Sequence, residues 1–143
     1  AYTFCVGEVS QDVRDLLTVT RQSLYKGIEM AVAGNHVGDI GDAIQTFCEA
    51  HGYGVVRELT GHGIGREMHE DPAVPNYGKR GNGVMLKEGM CIAIEPMVFM
   101  GKPHCHTLDD DWGVVANDHS LSAHYEHTIA ITADGYKILT KED

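Results

Sequence analysis

The chain has 143 residues, the length of one ordinary domain, and its 43% hydrophobic and 22% charged content excludes an intrinsically disordered chain. Its 11 basic and 21 acidic residues give a net charge of −10, which argues against a nucleic-acid backbone or an anionic membrane surface as its partner. No apolar run approaches the roughly 18 residues that a membrane span needs, and no basic-then-apolar leader is visible.

The first seven residues form an apolar, strand-like segment without an initiator methionine. Because the sequence starts as if it were already inside a sheet, we expect it to be a fragment or a processed product of a longer protein.

Two amphipathic helices follow this segment. Ser10 is a candidate N-cap and Asp12 lies in the first turn, where a negative charge favours the helix dipole. Apolar residues recur at steps of three and four up to a stop near Gly34, and a second such pattern stops at Gly52. The spacing predicts two helices that each bury one face.

The rest of the chain has the pattern of strands and turns. Apolar segments predict strands at residues 54–59, 90–94, 112–116 and 125–132, with a Gly- and His-rich stretch at 61–70 and a Pro-punctuated loop at 71–83. This order predicts an α+β fold in which two helices pack on one face of a mostly antiparallel sheet.

Cysteines are few and scattered, with no CxxC pair among them. We expect reduced thiols that pack as small hydrophobic side chains in a cytoplasmic protein. The residues are Cys5, Cys48, Cys91 and Cys105.

Two glutamates occupy positions where strand alternation favours apolar side chains. Glu95 ends an apolar run, and Glu126 shares a predicted strand face with His124 and Thr128. Buried carboxylates are tolerated when they are paired or bound to a metal. A salt bridge to a helix, or an exposed strand face, remains an equal alternative for each.

Histidines in the Gly-rich stretch complete a candidate metal site. Three glycines surround His62, and His69 follows seven residues later. A single histidine is more often a satisfied core or surface residue than a ligand. Together with Glu95 and Glu126, however, these imidazoles form a nitrogen-and-oxygen set that suits Zn, Mn, Fe or Co.

Other polar clusters give weaker signals. His104 and His106 could form a metal pair on one strand face or belong to an exposed edge strand, and residues 109–111 are an acidic run that suits a hairpin turn. The sequence has no G-x-S-x-G motif and no phosphate-binding loop, so acyl-enzyme and nucleotide chemistry are not favoured.

Four ordered blocks resemble the methionine aminopeptidases, and the last of them resembles the bacterial type I branch. The blocks are GHGIGREMHE at 61–70, VPN at 74–76, IEPM at 94–97 and SLSAHYEHTI at 120–129. This resemblance implies a pita-bread fold of two α/β halves, of which residues 1–143 would be the C-terminal half, with the N-terminal half absent.

The resemblance also assigns roles to individual residues. His62, Glu95 and Glu126 match three of the family's five metal ligands, with Glu126 as the bridging carboxylate and Glu95 as a candidate proton shuttle. His69 matches the imidazole that contacts the scissile amide. Trp112 matches a wall of the methionine pocket, and Met68 stands where many members have Phe.

Departures from the family concern its first half, where two ligand aspartates and one further substrate-contacting histidine lie. Their absence from these residues implies a weak, incomplete site in this chain, whereas the full-length protein would hold two divalent ions (Co, Mn, Fe or Zn). The exposed packing face would favour the missing half or a second copy as partner.

The implied activity is metal-dependent removal of the initiator methionine from nascent proteins, with this chain alone inactive. The expected partners are therefore N-terminal methionine peptides, and neither a nucleic acid nor a membrane. A prolidase- or creatinase-like hydrolase and a non-catalytic binding module of the same fold remain the alternatives.

Overall fold

Both helices form where the apolar spacing predicts them in the computed structural model, which describes residues 1–141. Helix α1 spans Gln11–Glu29 and helix α2 spans Val37–Ala50. Ser10 occupies the N-cap of α1 but makes no side-chain hydrogen bond there. His36 is the N-cap of α2, and its backbone N–H donates a hydrogen bond to Asp39 Oδ2 at 2.6 Å.

Within residues 1–141, ten short strands follow the helices, and every strand pair there is antiparallel. Five of them form a sheet in the order β10-β9-β4-β2-β3, three form a second sheet in the order β1-β5-β8, and β6 pairs with β7. Their bounds are β1 Gly54–Val55, β2 Gly61–Gly63, β3 Glu70–Val74, β4 Cys91–Ile94, β5 Met97–Phe99, β6 Cys105–Thr107, β7 Val114–Ala116, β8 Ser122–His124, β9 His127–Thr132 and β10 Gly135–Ile138.

The main core lies between the helices and the sheets. Leu16 and Ile28 of α1, Ile44 of α2 and Ile92 of β4 are all almost fully buried in it. The helices cross closely at Gly27, where an added Cβ would lie 2.7 Å from Ile44 Cδ1. Burial of one helix face against an antiparallel sheet confirms the expected α+β architecture.

Three expectations about strands need correction. Residues 1–6 form no strand. Only isolated hydrogen bonds, such as that from the Glu126 N–H to the Ala1 carbonyl oxygen, join them to an adjacent segment of the same chain. The strand expected at residues 54–59 contains only Gly54–Val55. The loop expected at 71–83 begins with most of β3, which tolerates Pro72 because β3 is an edge strand.

Two expectations about cysteines and turns have different outcomes. Cys48 is buried, and this burial raises its thiol pKa to about 11, so it packs as an apolar side chain, whereas Cys5 is exposed and does not.

The acidic run at 109–111 does form the turn between β6 and β7, with Asp110 Oδ1 accepting the Trp112 and Gly113 N–H groups. No helix among residues 1–141 is both long and apolar enough to cross a membrane.

Acid should weaken the loop that precedes β8 through Asp118. Hydrogen bonds from the Lys102 N–H first, and then from Ser120, lower the pKa of Asp118 to about 2. A folded pKa below the unfolded one stabilises the protein above about pH 4, and the effect is lost as the pH falls from about 4 to 2. Chemical unfolding should therefore show Asp118→Asn less stable than the parent at neutral pH and the difference shrinking in this acid range. A difference that is independent of pH would contradict the assignment.

Candidate metal centre

His62 lies on β2, between β3 and β4, at a point where neighbouring backbones leave no room for side chains beside it. An added Cβ on Gly61 would overlap the Ala93 carbonyl oxygen, and one on Gly63 would overlap the Asp71 carbonyl oxygen. His62 Nδ1 lies 2.9 Å from the Gly63 carbonyl oxygen. Since a carbonyl only accepts, Nδ1 carries the proton, and the Nε2 lone pair is left free as a ligand.

Glu95 and Glu126 lie where two adjacent strand pairs change sheet. Strands β4 and β9 pair in the five-stranded sheet, and their continuations β5 and β8 pair in the other sheet. Glu95 lies in the short connection between β4 and β5, and Glu126 lies in the short connection between β8 and β9. The expected strand over residues 125–132 therefore begins only at His127, and Glu126 is released from the ladder.

The two connections between strands bring Glu95 and Glu126 close to His62, so that three potential ligands lie together. His62, Glu95 and Glu126 each offer one ligand atom, and the three atoms lie within 4.8 Å of one another. Glu95 Oε1 is 3.6 Å from His62 Nε2, and the Glu95 side chain is only 13% exposed. Glu126 Oε2 lies 3.2 Å from the Ala1 ammonium nitrogen.

The donor chemistry of this cluster fits a divalent cation. Two carboxylates in one partly buried site repel each other, and a cation between them reduces this cost. One imidazole nitrogen and two carboxylate oxygens suit borderline ions such as zinc, manganese, iron or cobalt. Among residues 1–141, this is the one group of three or more such side chains that meets these distances.

His69 lies beside the cluster, whereas the other two substrate residues expected from the sequence do not belong to it. The His69 and His62 ring centroids are 4.2 Å apart. Met68 lies on the same loop and is 73% exposed, and Trp112 is 88% exposed in the turn between β6 and β7. A role for Met68 and Trp112 therefore stays a prediction.

The weaker histidine pair, His104 and His106, lies outside the group of three potential ligands. His104 Nδ1 lies 2.9 Å from Glu58 Oε1, and His106 Nδ1 lies 2.7 Å from Asn117 Oδ1. Each ring thus has its own partner. The hydrogen bond from His104 is also the main cause of the lowered pKa of Glu58.

Two residues near Glu95 were not singled out from the sequence. Asn76 is fully buried and its Nδ2 donates to the Glu95 carbonyl oxygen at 3.0 Å, which fixes the backbone of that glutamate. His124 Nε2 lies 3.2 Å from Glu95 Oε2. The available signals were the polar Asn76 in the VPN block and the position of His124 two residues before Glu126.

His127, which follows Glu126, has a different environment. Its Nε2 lies 3.3 Å from the Tyr25 hydroxyl and its Nδ1 lies 2.9 Å from Thr140 Oγ1. Burial lowers the pKa of this imidazole. The neutral ring is thus engaged by neighbouring hydroxyls.

The loop that carries His69 should be sensitive to a single methyl group. The Glu67 N–H donates to Glu70 Oε1 at 2.8 Å, and an added Cβ on Gly65 would overlap the Glu70 carboxylate. We expect Gly65→Ala to displace this flexible side chain at little cost in stability but to abolish the NOE between the His62 and His69 rings. Glu70→Ala should cause the same loss, and the double variant no further change. An unchanged NOE in Gly65→Ala would show that Glu70 does not hold the loop.

Comparisons with known proteins agree on one family. The family model described as metallopeptidase family M24 matches residues 1–133. Methionine aminopeptidase from Clostridium acetobutylicum is 54% identical over 98% of the chain and 56% of its own length. The crystal structure of methionine aminopeptidase from Rickettsia prowazekii has a TM-score of 0.95 at 45% identity, covering 98% of this chain and 57% of that chain.

A prolidase of lower sequence identity also has a similar fold. Prolidase from Pyrococcus furiosus has a TM-score of 0.74 at 26% identity and covers 99% of this chain and 36% of its own. The chain thus spans a little over half the length of the curated relatives it matches, 56% for the first two. The expected pita-bread fold is confirmed by these structural neighbours.

Proposed function

Because the chain belongs to metallopeptidase family M24, we propose that its protein is a metalloaminopeptidase that removes the initiator methionine from nascent chains. The observation that carries this proposal is the cluster of His62, Glu95 and Glu126 with the His69 ring beside it. Curated relatives at 46–54% identity are named methionine aminopeptidase, whereas the prolidase is less similar, at 26%. This difference favours methionine aminopeptidase over prolidase.

The proposed cofactor is a pair of divalent ions, cobalt, manganese, iron or zinc, in the full-length protein. His62, Glu95 and Glu126 would hold them from this chain, with Glu126 bridging, and the resemblance assigns the other two ligands to aspartates outside these residues. Such ions supply Lewis-acid polarisation of the scissile carbonyl. With three ligands, this chain alone is proposed to bind metal weakly.

Side chains of the site have separate roles in this proposal. The His62 Nδ1–H, held by the Gly63 carbonyl, keeps Nε2 directed outward as a lone-pair donor. Glu95 accepts a proton from the attacking water and delivers it to the leaving amine. His69 donates a hydrogen bond to the oxygen of the scissile amide as negative charge develops on it. Met68 and Trp112 are proposed to line the pocket for the methionine side chain.

The proposed substrates are N-terminal methionine peptides of nascent proteins, and a cytoplasmic location is proposed with them. We further propose that protein outside these residues, the other half or a second copy, covers the exposed apolar side chains Tyr2, Phe4 and Val6. These partners are distinct from nucleic acids and membranes, which the acidic charge disfavours.

A chimera tests the proposed activity. The portion of the Clostridium acetobutylicum relative that this chain does not match would be joined to the chain and assayed with Mn²⁺ on Met-Ala-Ser and on an Ala-Pro peptide. We expect hydrolysis of Met-Ala-Ser by the chimera, little by the chain alone, and a loss of about 100-fold or more in Glu126→Ala.

The control for this assay is Glu58→Ala, which removes an equal charge outside the cluster and should leave the rate unchanged. Preferential cleavage of the Ala-Pro peptide would favour a prolidase-like hydrolase. A folded chimera that cleaves neither peptide would contradict the proposed function.

A further inference from the structure

The carboxylate of Glu95 lies between two imidazole rings, of which the metal cluster uses only one. His62 Nε2 is 3.6 Å from Oε1, and His124 Nε2 is 3.2 Å from Oε2. His124 Nε2 is a buried atom, and its contact with Glu95 is not aligned as a hydrogen bond. An unsatisfied buried nitrogen is costly, so a small rotation that completes this bond is favoured.

The backbone of His124 is held firmly beside Glu95. The Thr3 hydroxyl donates to the His124 carbonyl oxygen at 2.9 Å, and the His124 N–H donates to Thr3 Oγ1 at 3.0 Å. His124 also pairs with Met97, two residues after Glu95, in the ladder between β5 and β8. The ring therefore approaches Glu95 from a fixed position.

We propose that His124 is a positioning residue for Glu95. Its Nε2–H would hold Oε2, so that Oε1 stays directed toward His62 and the cation. This inference rests on the proposed metal site and deepens it, because partners of metal ligands orient those ligands and tune their affinity. His124 is not itself a member of the three-residue ligand group.

Metal affinity distinguishes positioning from direct ligation. We expect His124→Leu to weaken Zn²⁺ binding, measured by calorimetry on the full chain, by about 10- to 100-fold. His124→Gln should keep most of the affinity, because its amide N–H can also donate to Glu95. His106→Leu, which removes an exposed ring bonded to Asn117, is the matched control and should bind as the parent does.

A metal-free measurement tests the same contact independently of ion binding. Nitrogen-15 NMR of the His124 ring should show the proton on Nε2 in the parent chain, and this preference should disappear in Glu95→Ala.

The inference is overturned if His124→Leu binds zinc as tightly as the parent, or if the proton lies on Nδ1. Equal losses in His124→Gln and His124→Leu would also overturn it, because they indicate direct ligation. A parent chain that binds no zinc would instead contradict the proposed metal site, and the tautomer would still decide the role of His124.

Discussion

Zn²⁺ or Mn²⁺ affinity should fall by about 100-fold or more when Glu126 is replaced by alanine. The change removes one of three donor side chains that lie within 4.8 Å of one another. A direct ligand contributes more to metal affinity than an outer hydrogen-bond partner, whose loss costs about 10- to 100-fold. Titration calorimetry on the parent chain and on Glu126→Ala would measure the difference.

Thermal unfolding gives a second readout of the same variant. Zinc should raise the unfolding temperature of the parent chain, because an ion that binds only the folded state stabilises it, but it should not raise that of Glu126→Ala. Glu58→Ala is the matched control, since Glu58 pairs with His104 outside the cluster. If Glu58→Ala loses as much affinity as Glu126→Ala, zinc binds through the net charge of −10 and not through the cluster.

Gly63→Ala should be among the most destabilising single substitutions in the chain. An added Cβ would overlap the Asp71 carbonyl oxygen, which belongs to backbone hydrogen-bonded in the next strand and cannot rotate away. Overpacking of this kind costs about 3 kcal/mol, and chemical denaturation would measure it. Displacement of β2 from β3 would also move His62, so zinc affinity should fall together with stability.

Gly52→Ala provides the comparison for this prediction. Gly52 has a φ of +83° with open space around the added Cβ, so its substitution carries only the cost of the left-handed conformation, about 1–2 kcal/mol. We expect Gly63→Ala to cost more stability than Gly52→Ala, although the crowding at Gly63 is not visible in the sequence. A smaller cost at Gly63 would contradict the close backbone approach that frames His62.

The helices and the candidate ligands were predictable because their signals are local. Apolar spacing alone predicts α1 and α2, and the position of a glutamate in each of two apolar runs marks Glu95 and Glu126 as candidates, with a salt bridge or an exposed strand face as the equal alternative. Strand β3 was missed because Pro72 normally argues against a strand, and only its edge position in the sheet permits it. The strand predicted at 54–59 was too long because the ladder ends at Val55; the Val56 N–H still donates to the Met97 carbonyl oxygen, but the residues after it have no ladder partner.

Residues that act through long-range packing were not predictable. Asn76 holds the Glu95 backbone across 19 positions of sequence, and His124 reaches Glu95 only because β5 pairs with β8. The placement of Glu126 at a change of sheet also depends on two separate ladders. Such contacts arise from register between distant strands, which no local pattern encodes.

His62, Glu95 and Glu126 are proposed to form a divalent metal site. Crystals of the chain soaked in Zn²⁺ and measured at the zinc absorption edge would test it most directly. We expect an anomalous peak about 2.0–2.2 Å from His62 Nε2 and from one oxygen of each glutamate. Zinc bound only elsewhere, such as between His104 and Glu58, with no peak at the cluster, would contradict it.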